Sequence, residues 1–317
     1  MGKYVFGPVP SRRLGASLGV NNIPLKYCTY SCIYCQAGYT VNKIACRRKF
    51  YDPIEVAREV LQFLEKLNFE VDYVTFVPNG EPTLDVNLGR IIELIKSEVS
   101  VPIAVLTNAS LIFMEAVRED LQLADLVSVK VDSVIEDVWM KINRPHQDLR
   151  LSEILSGILE FSRSFNGKLI TETMLVKGVN DHEHVLTENA KFISRIRGLE
   201  KAYISVPVRP PTEKWVEIPS EEAIVKAFSI YSKFMGENKV ELLTGIESGE
   251  FRVSEDPVNY ILSLTRVHPL KLDYAIKILG GGSEAEVAIE ELVDKGKIVL
   301  VEYSGCKFIL RKIQRST

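Results

Sequence analysis

The chain has 317 residues, 46% of them hydrophobic and 26% charged, the ordinary balance of a globular protein. This excludes a disordered or collagen-like chain, and the length suggests about two domains. Lys and Arg number 39 against 42 Asp and Glu, a net charge of -3, so the whole chain is no polycation built to coat nucleic acid.

The predicted elements alternate between short β-rich runs and amphipathic stretches. Leu18 to Ile23 predicts a first strand leading into a cysteine-containing loop. Pro53 to Leu67 predicts a helix, because Ile54, Ala57, Leu61 and Leu64 recur at helical spacing after an Asp52 cap and a Pro at the first position. Val71 to Val77 predicts a strand ended by Pro78-Asn79-Gly80. Helices follow at Leu88 to Ser97, Leu111 to Ala124, Ile135 to Lys141, Leu151 to Phe165, His184 to Ile196 and Ser220 to Phe234. The strands between them are Pro102 to Leu106, Leu126 to Asp132, Leu169 to Val176 and Ala202 to Val206. About six β/α units with near-continuous apolar strands predict a parallel sheet covered on both faces. Such units build a partial barrel or an open doubly wound sheet. In both, chemistry belongs at the C-terminal ends of the strands.

Composition changes near Leu243, which divides the chain into 1–245 and 246–317. Short helices are predicted at Pro257 to Leu264 and Leu272 to Leu279. A further helix starts at Ser283, with Glu286 completing a capping-box pattern. Lys297 to Tyr303 and Cys306 to Lys312 predict a hairpin. Three helices and a hairpin outline a winged helix. The third helix carries Glu284, Glu286, Glu290, Glu291 and Asp294, which phosphates would repel. Docking of a protein or substrate is favoured over reading DNA, although Lys297, Lys307, Arg311, Lys312 and Arg315 offer a basic edge for RNA.

Five cysteines are too few and too clustered for a secreted disulfide framework. Residues 1–14 hold no continuous apolar run and nothing reaches the ~18 apolar residues of a membrane span. A soluble protein of a reducing, cytoplasmic compartment is expected, its cysteines serving a metal. Cys28, Cys32 and Cys35, at spacings of four and three, can converge from one loop on a single inorganic centre. Thiolates are the usual ligands of iron–sulfur clusters. A closed zinc site would need a fourth ligand, and Cys46 is the nearby cysteine that could supply one.

Cys-x3-Cys-x2-Cys after a first strand, with Tyr34 before the last cysteine, resembles the radical S-adenosylmethionine (SAM) superfamily. The resemblance implies a partial (β/α)6 TIM-like barrel, here with a small winged-helix-like C-terminal domain. It implies a [4Fe-4S] cluster on Cys28, Cys32 and Cys35, with SAM on the fourth iron. The reduced cluster then cleaves SAM to methionine and a 5′-deoxyadenosyl radical, which abstracts hydrogen from a substrate. Asn79-Gly80-Glu81 is similar to the family's Gly-Gly-Glu segment, which contacts the SAM amino group through its backbone. Asn tolerates the left-handed region that the missing glycine would allow. Tyr34, Asn79, Gly80, Glu81, Thr107, Asn108, Lys130 and Asp132 are the expected SAM contacts.

Lys130 and Asp132 share a strand face, where they either meet SAM or form a mutual ion pair; Glu172 follows the same logic. Arg12 and Arg13 either bind an anionic substrate or cap the barrel. Arg144 and Arg209 either contact an anion or lie solvated in loops. The N-terminal stretch Phe6 to Asn21, with Val208-Arg209-Pro210-Pro211, resembles a group classed beside the tRNA wyosine synthases. Those enzymes use a second cluster from upstream cysteines, and this chain has none before Cys28, which argues against wyosine synthesis itself. Expected partners are an external electron donor and a substrate that is a tRNA base, a protein side chain or a small metabolite. The alternatives are a wyosine-related tRNA-modifying enzyme and a non-catalytic iron–sulfur regulator with a winged helix.

Overall fold

The computed structural model describes residues 3–245, 256–265, 269–303 and 305–311. Two strands open the chain, β1 (Val5–Ser11) and β2 (Gly15–Val20), followed by the short β3 (Tyr27–Cys28) and β4 (Asn42–Lys43). Then come α1 (Pro53–Lys66), β5 (Tyr73–Phe76), α2 (Leu88–Lys96), β6 (Ile103–Thr107), α3 (Glu115–Gln122), β7 (Leu126–Lys130), α4 (Glu136–Asn143) and α5 (Leu151–Ser164). The barrel series ends with β8 (Lys168–Met174), α6 (Glu183–Ile193), β9 (Leu199–Ser205), α7 (Glu221–Met235) and β10 (Val240–Leu243).

One eight-stranded sheet runs in the order β1-β2-β5-β6-β7-β8-β9-β10. β1 is antiparallel to β2, and every later neighbour pairs in parallel. The sheet ends on two edges, so it is a partial barrel with the C-terminal ends of its parallel strands on one side. Helix α1 shows why the sequence folds this way locally. Asp52 accepts a hydrogen bond from Ile54 N at 2.8 Å, Pro53 occupies the first turn, and Val56, Ala57 and Val60 are buried.

The predicted first strand is shifted. Pairing with β5 starts at Ser17 and ends at Val20, so Ile23 lies in the loop beyond. β1 and β10 are unpredicted strands. β1 carries Gly7, Pro8 and Pro10, a composition that only an edge strand tolerates. β10 has four residues, too few for a periodic signal. The tip between β1 and β2 turns into the barrel. Leu14 packs there with Ala104, Leu126, Ile170, Tyr203 and Leu243, contributed by the strands β6 to β10. Arg12 donates to Leu243 O at 3.5 Å. The tip therefore packs into the barrel interior against these five strands.

Beyond the barrel lie α8 (Pro257–Leu264), β11 (Leu270–Lys271), α9 (Leu272–Ile278), α10 (Gly282–Asp294), β12 (Ile298–Tyr303) and β13 (Cys306–Arg311). β11, β13 and β12 form an antiparallel sheet, and Tyr260, Ile261, Leu264, Ile289, Ile298 and Ile309 help form a separate core. The expected capping box does not form. Gly281, at φ 77°, is the cap residue of α10 and Ser283 lies inside the helix. Lys312 and Arg315, expected on the basic edge, and the Arg311 side chain lie outside the described residues. The Tyr260 hydroxyl donates to Pro8 O on β1, joining this unit to the barrel. Tyr260→Phe should lower unfolding stability by about 1 kcal/mol in a denaturant titration. No helix among the described residues is long and apolar enough to cross a membrane.

Candidate active site

The loop after β2 carries the cysteines, and protein hydrogen bonds hold it against several strand-end loops. Lys26 N donates to Asn79 O at 2.9 Å, and Glu81 N donates to Tyr27 O at 3.1 Å. Ser31 N and Ile33 N donate to Asn143 O and Ile142 O, both at 3.0 Å. Glu213 N donates to Ile33 O at 3.0 Å, and the Thr212 hydroxyl to Cys35 O at 2.7 Å. Gly80 is required for this fit. A Cβ there would stand 1.8 Å from Tyr27 O and 2.8 Å from Ile23 Cδ1.

Cys28, Cys32 and Cys35 line one cavity of about 280 Å³ at the C-terminal end of the strands. Lys26, Asn79, Gly80, Arg13 and Arg209 also line it. Burial pushes the Cys28 thiol well above the ordinary range and Cys32 up to about 12, and a bound metal would take the place of the proton on each. Asn108 Nδ2 lies 3.6 Å from Cys28 Sγ, and Asn143 Nδ2 lies 3.4 Å from Cys32 Sγ. These amides sit where they can donate to metal-bound sulfur. Among the described residues, no three His, Cys, Asp or Glu side chains converge tightly enough for a single metal ion. Cys46 is exposed and does not line the cavity with the other three. A shared cavity, three soft sulfur donors and two amides on the sulfurs fit a multi-iron cluster.

The carboxylates expected to meet SAM are engaged inside the protein. Glu81 accepts from Thr83 N (3.1 Å), the hydroxyls of Thr83 and Thr107 (both 2.6 Å), and Asn108 N (2.7 Å). Burial raises its pKa, and those four donors oppose the rise. Glu81 and Thr107 therefore shape the loop that holds Asn79 and Gly80. Asn108 ties the same group to the cysteine loop, donating to Thr29 Oγ1 at 2.8 Å. Asn79 is not left-handed: among the described residues, those other than glycine with positive φ are Lys26, Ala109 and Arg144.

Asp132 lies two residues past β7 and is not paired with Lys130. It accepts from the Tyr34 hydroxyl, from Asn143 Nδ2 at 2.7 Å and from Met174 N at 2.8 Å. Tyr34 thus anchors the cysteine loop through its ring oxygen. Lys130 instead faces Glu172 at 3.4 Å, with its ammonium 5.1 Å from the Tyr34 ring centre. Glu172 also pairs with Arg13 and accepts from the Ser205 hydroxyl at 2.9 Å. Burial alone would raise the Glu172 pKa, but Arg13 and Lys130 outweigh it and hold the carboxyl well below the usual range. Arg144 pairs with Glu213, and Arg209 donates to Gln36 Oε1 at 3.0 Å.

Glu172→Gln should cost about 3–5 kcal/mol, because Arg13 and Lys130 stay buried without their countercharge. The sign with pH follows from the depressed folded pKa. The stabilisation is present above the ordinary glutamate value of 4.5 and is lost as pH falls below it. Urea titrations from neutral to acid pH should show a wild-type loss that the variant lacks.

Asn143 and Thr29 carry no distinguishing signal in the sequence. Asn143 stands at the end of α4 and looks like an ordinary helix-terminal residue. Only the fold shows that its amide joins Asp132, Tyr34 and Cys32.

Residues 22–189 match the family model described as the Radical SAM superfamily. The chain belongs to this superfamily. It is 44% identical over 310 residues to UPF0026 protein MJ1312 of Methanocaldococcus jannaschii, covering 98% of this chain and 96% of that protein. Among solved radical SAM folds, the chain is similar to native anSMEcpe with bound AdoMet, with TM-score 0.52, 16% identity, and 71% and 64% of the two chains covered. A mutant of spore photoproduct lyase gives TM-score 0.52 at 10% identity, covering 75% of this chain and 79% of that one. Both likenesses concern the fold. Members of the radical SAM superfamily use a [4Fe-4S] cluster and SAM, and the matched span contains Cys28, Cys32 and Cys35 together with Asn79-Gly80-Glu81.

Proposed function

We propose that this chain is a radical SAM enzyme holding one [4Fe-4S] cluster on Cys28, Cys32 and Cys35. The observation that carries this reading is the meeting of those thiols with Asn79 and Gly80 in one cavity at the strand ends, inside the span matched to the superfamily. Cys28, Cys32 and Cys35 would hold the cluster, whose chemistry would be the one-electron reduction of SAM, with the electron from an external donor, to methionine and a 5′-deoxyadenosyl radical able to take a hydrogen atom from the substrate. The chain's own residues supply position and shelter. Tyr34, Asp132 and Asn143 fix the cysteine loop. Glu81, Thr107 and Asn108 fix the Asn79-Gly80 backbone, which would receive the methionine end of SAM. Lys130, paired with Glu172 and standing above the Tyr34 ring, braces the strand ends beside the cavity rather than lining it.

The substrate is a tRNA base, a protein side chain or a small molecule. The helices and hairpin after residue 256, with their acidic α10, read as a winged-helix-like docking module for a protein or substrate rather than for DNA. Residues 1–245 and 246–317 would then be the catalytic and docking domains. Few, clustered cysteines support a cytoplasmic setting.

The test is anaerobic reconstitution with iron and sulfide, reduction with dithionite, addition of SAM and measurement of 5′-deoxyadenosine. Deoxyadenosine that depends on reductant and iron is the expected result. A fully loaded cluster that binds no SAM and yields none would overturn the reading and favour an iron–sulfur regulator.

A further inference from the structure

The cavity beside the cysteine loop has a one-sided charge. Among the described residues, its charged lining side chains are Arg13, Lys26 and Arg209, and no Asp or Glu lines it. Arg13 is neutralised by Glu172, and Arg209 is held by Gln36. Lys26 differs from both. The residue is only 5% exposed, and its Nζ has no hydrogen-bond partner among the described residues. Its backbone is clamped on both sides, with N donating to Asn79 O at 2.9 Å and O accepting from Asn42 N at 3.0 Å. It also takes a left-handed φ of 66°, a conformation that a lysine adopts only when its surroundings impose it. Gly38 leaves room for the side chain, since a Cβ there would stand 3.3 Å from Lys26 Nζ. A buried cation without an acceptor is costly, and one packed beside a cavity that no carboxylate lines is matched to an incoming anion.

We propose that Lys26 is a binding residue for an anionic group, a carboxylate or a phosphate, carried by the molecule that enters this cavity. The inference rests on the reading of the cavity as the place where cofactor and substrate meet. The anion belongs either to the carboxylate of SAM or to a substrate.

The experiment compares reconstituted wild type, Lys26→Met and Lys26→Arg. Iron content and the electron paramagnetic resonance signal of the reduced protein establish that each variant carries its cluster. Binding is then read by equilibrium dialysis with three probes: SAM, decarboxylated SAM, and inorganic phosphate added to the SAM-loaded protein. Lys26→Met should bind one anionic probe about tenfold or more weakly, with Lys26→Arg retaining part of the affinity. Weaker SAM binding, matched by an equal loss when wild type is given decarboxylated SAM, assigns the anion to the cofactor. Unchanged SAM binding with loss of phosphate assigns it to the substrate. Lys26→Met binding SAM and phosphate as wild type does overturns the proposal. So does wild type that binds neither, or a variant altered only in cluster midpoint potential. If Lys26→Met loads no iron, Lys26→Gln takes its place and the same probes decide. Absence of deoxyadenosine would defeat the proposed function alone, because the binding measurements need no turnover.

Discussion

Cys32→Ala should give a folded protein that has lost its iron–sulfur absorption and makes no deoxyadenosine above the protein-free background. Two thiols remain, and a cluster held by thiolates needs its full set of ligands. The stability cost should stay near 1 kcal/mol, because the backbone bonds of Ser31 and Ile33 to the end of α4 survive the change. Cys46→Ala is the matched control. Its sulfur is exposed and away from the cavity, so iron content and deoxyadenosine should match wild type. Iron retained by Cys32→Ala at the wild-type ratio would remove the cluster assignment.

Gly80→Ala should be nearly as damaging by a different route. The added methyl would meet the Tyr27 carbonyl oxygen at 1.8 Å, a backbone atom that cannot swing aside as a side-chain end can. That oxygen also accepts from Glu81 N, so displacing it separates the cysteine loop from the loop beyond β5. A loss of about 3 kcal/mol in unfolding free energy is expected, at the upper end for overpacking. Iron content after reconstitution should fall with it. Asn79→Gly adds no atoms and should keep both near wild type. Equal thermal melting of Gly80→Ala and wild type would show that the two loops do not fit as described.

The alternation of strands and helices was legible because each central strand is apolar over its whole length, as Leu126 to Val129 illustrates. β1 was not, because its prolines and glycine look like loop and only the antiparallel partner β2 makes it a strand. The cysteines were legible because their spacing is a local property of one loop. The work of Glu81 and Asp132 was not. Both carboxylates look like groups waiting for a ligand, yet their acceptors are filled by donors 11 to 98 positions away, or by Thr83 two residues on from Glu81. Which donors reach them is decided by how neighbouring strand ends come together. The same holds for Lys130, whose partner turned out to be Glu172 across the β7–β8 pair rather than Asp132 along its own chain.

The clamped cysteine loop has a thermodynamic consequence. Its bonds to Asn79, Glu81, Ile142, Asn143 and Glu213 are made by main-chain atoms and use no sulfur. Ordering a free loop of this kind would cost about 1–2 kcal/mol per residue. Here the bonds that order the loop belong to the barrel fold and involve none of the cysteine sulfurs. Assembly of the cluster therefore need not drive folding, as it does in small metal-dependent domains. Stripping the iron with a chelator should lower the melting temperature by the binding free energy alone and leave the chain folded, with its far-ultraviolet circular dichroism retained, and reloading should be reversible.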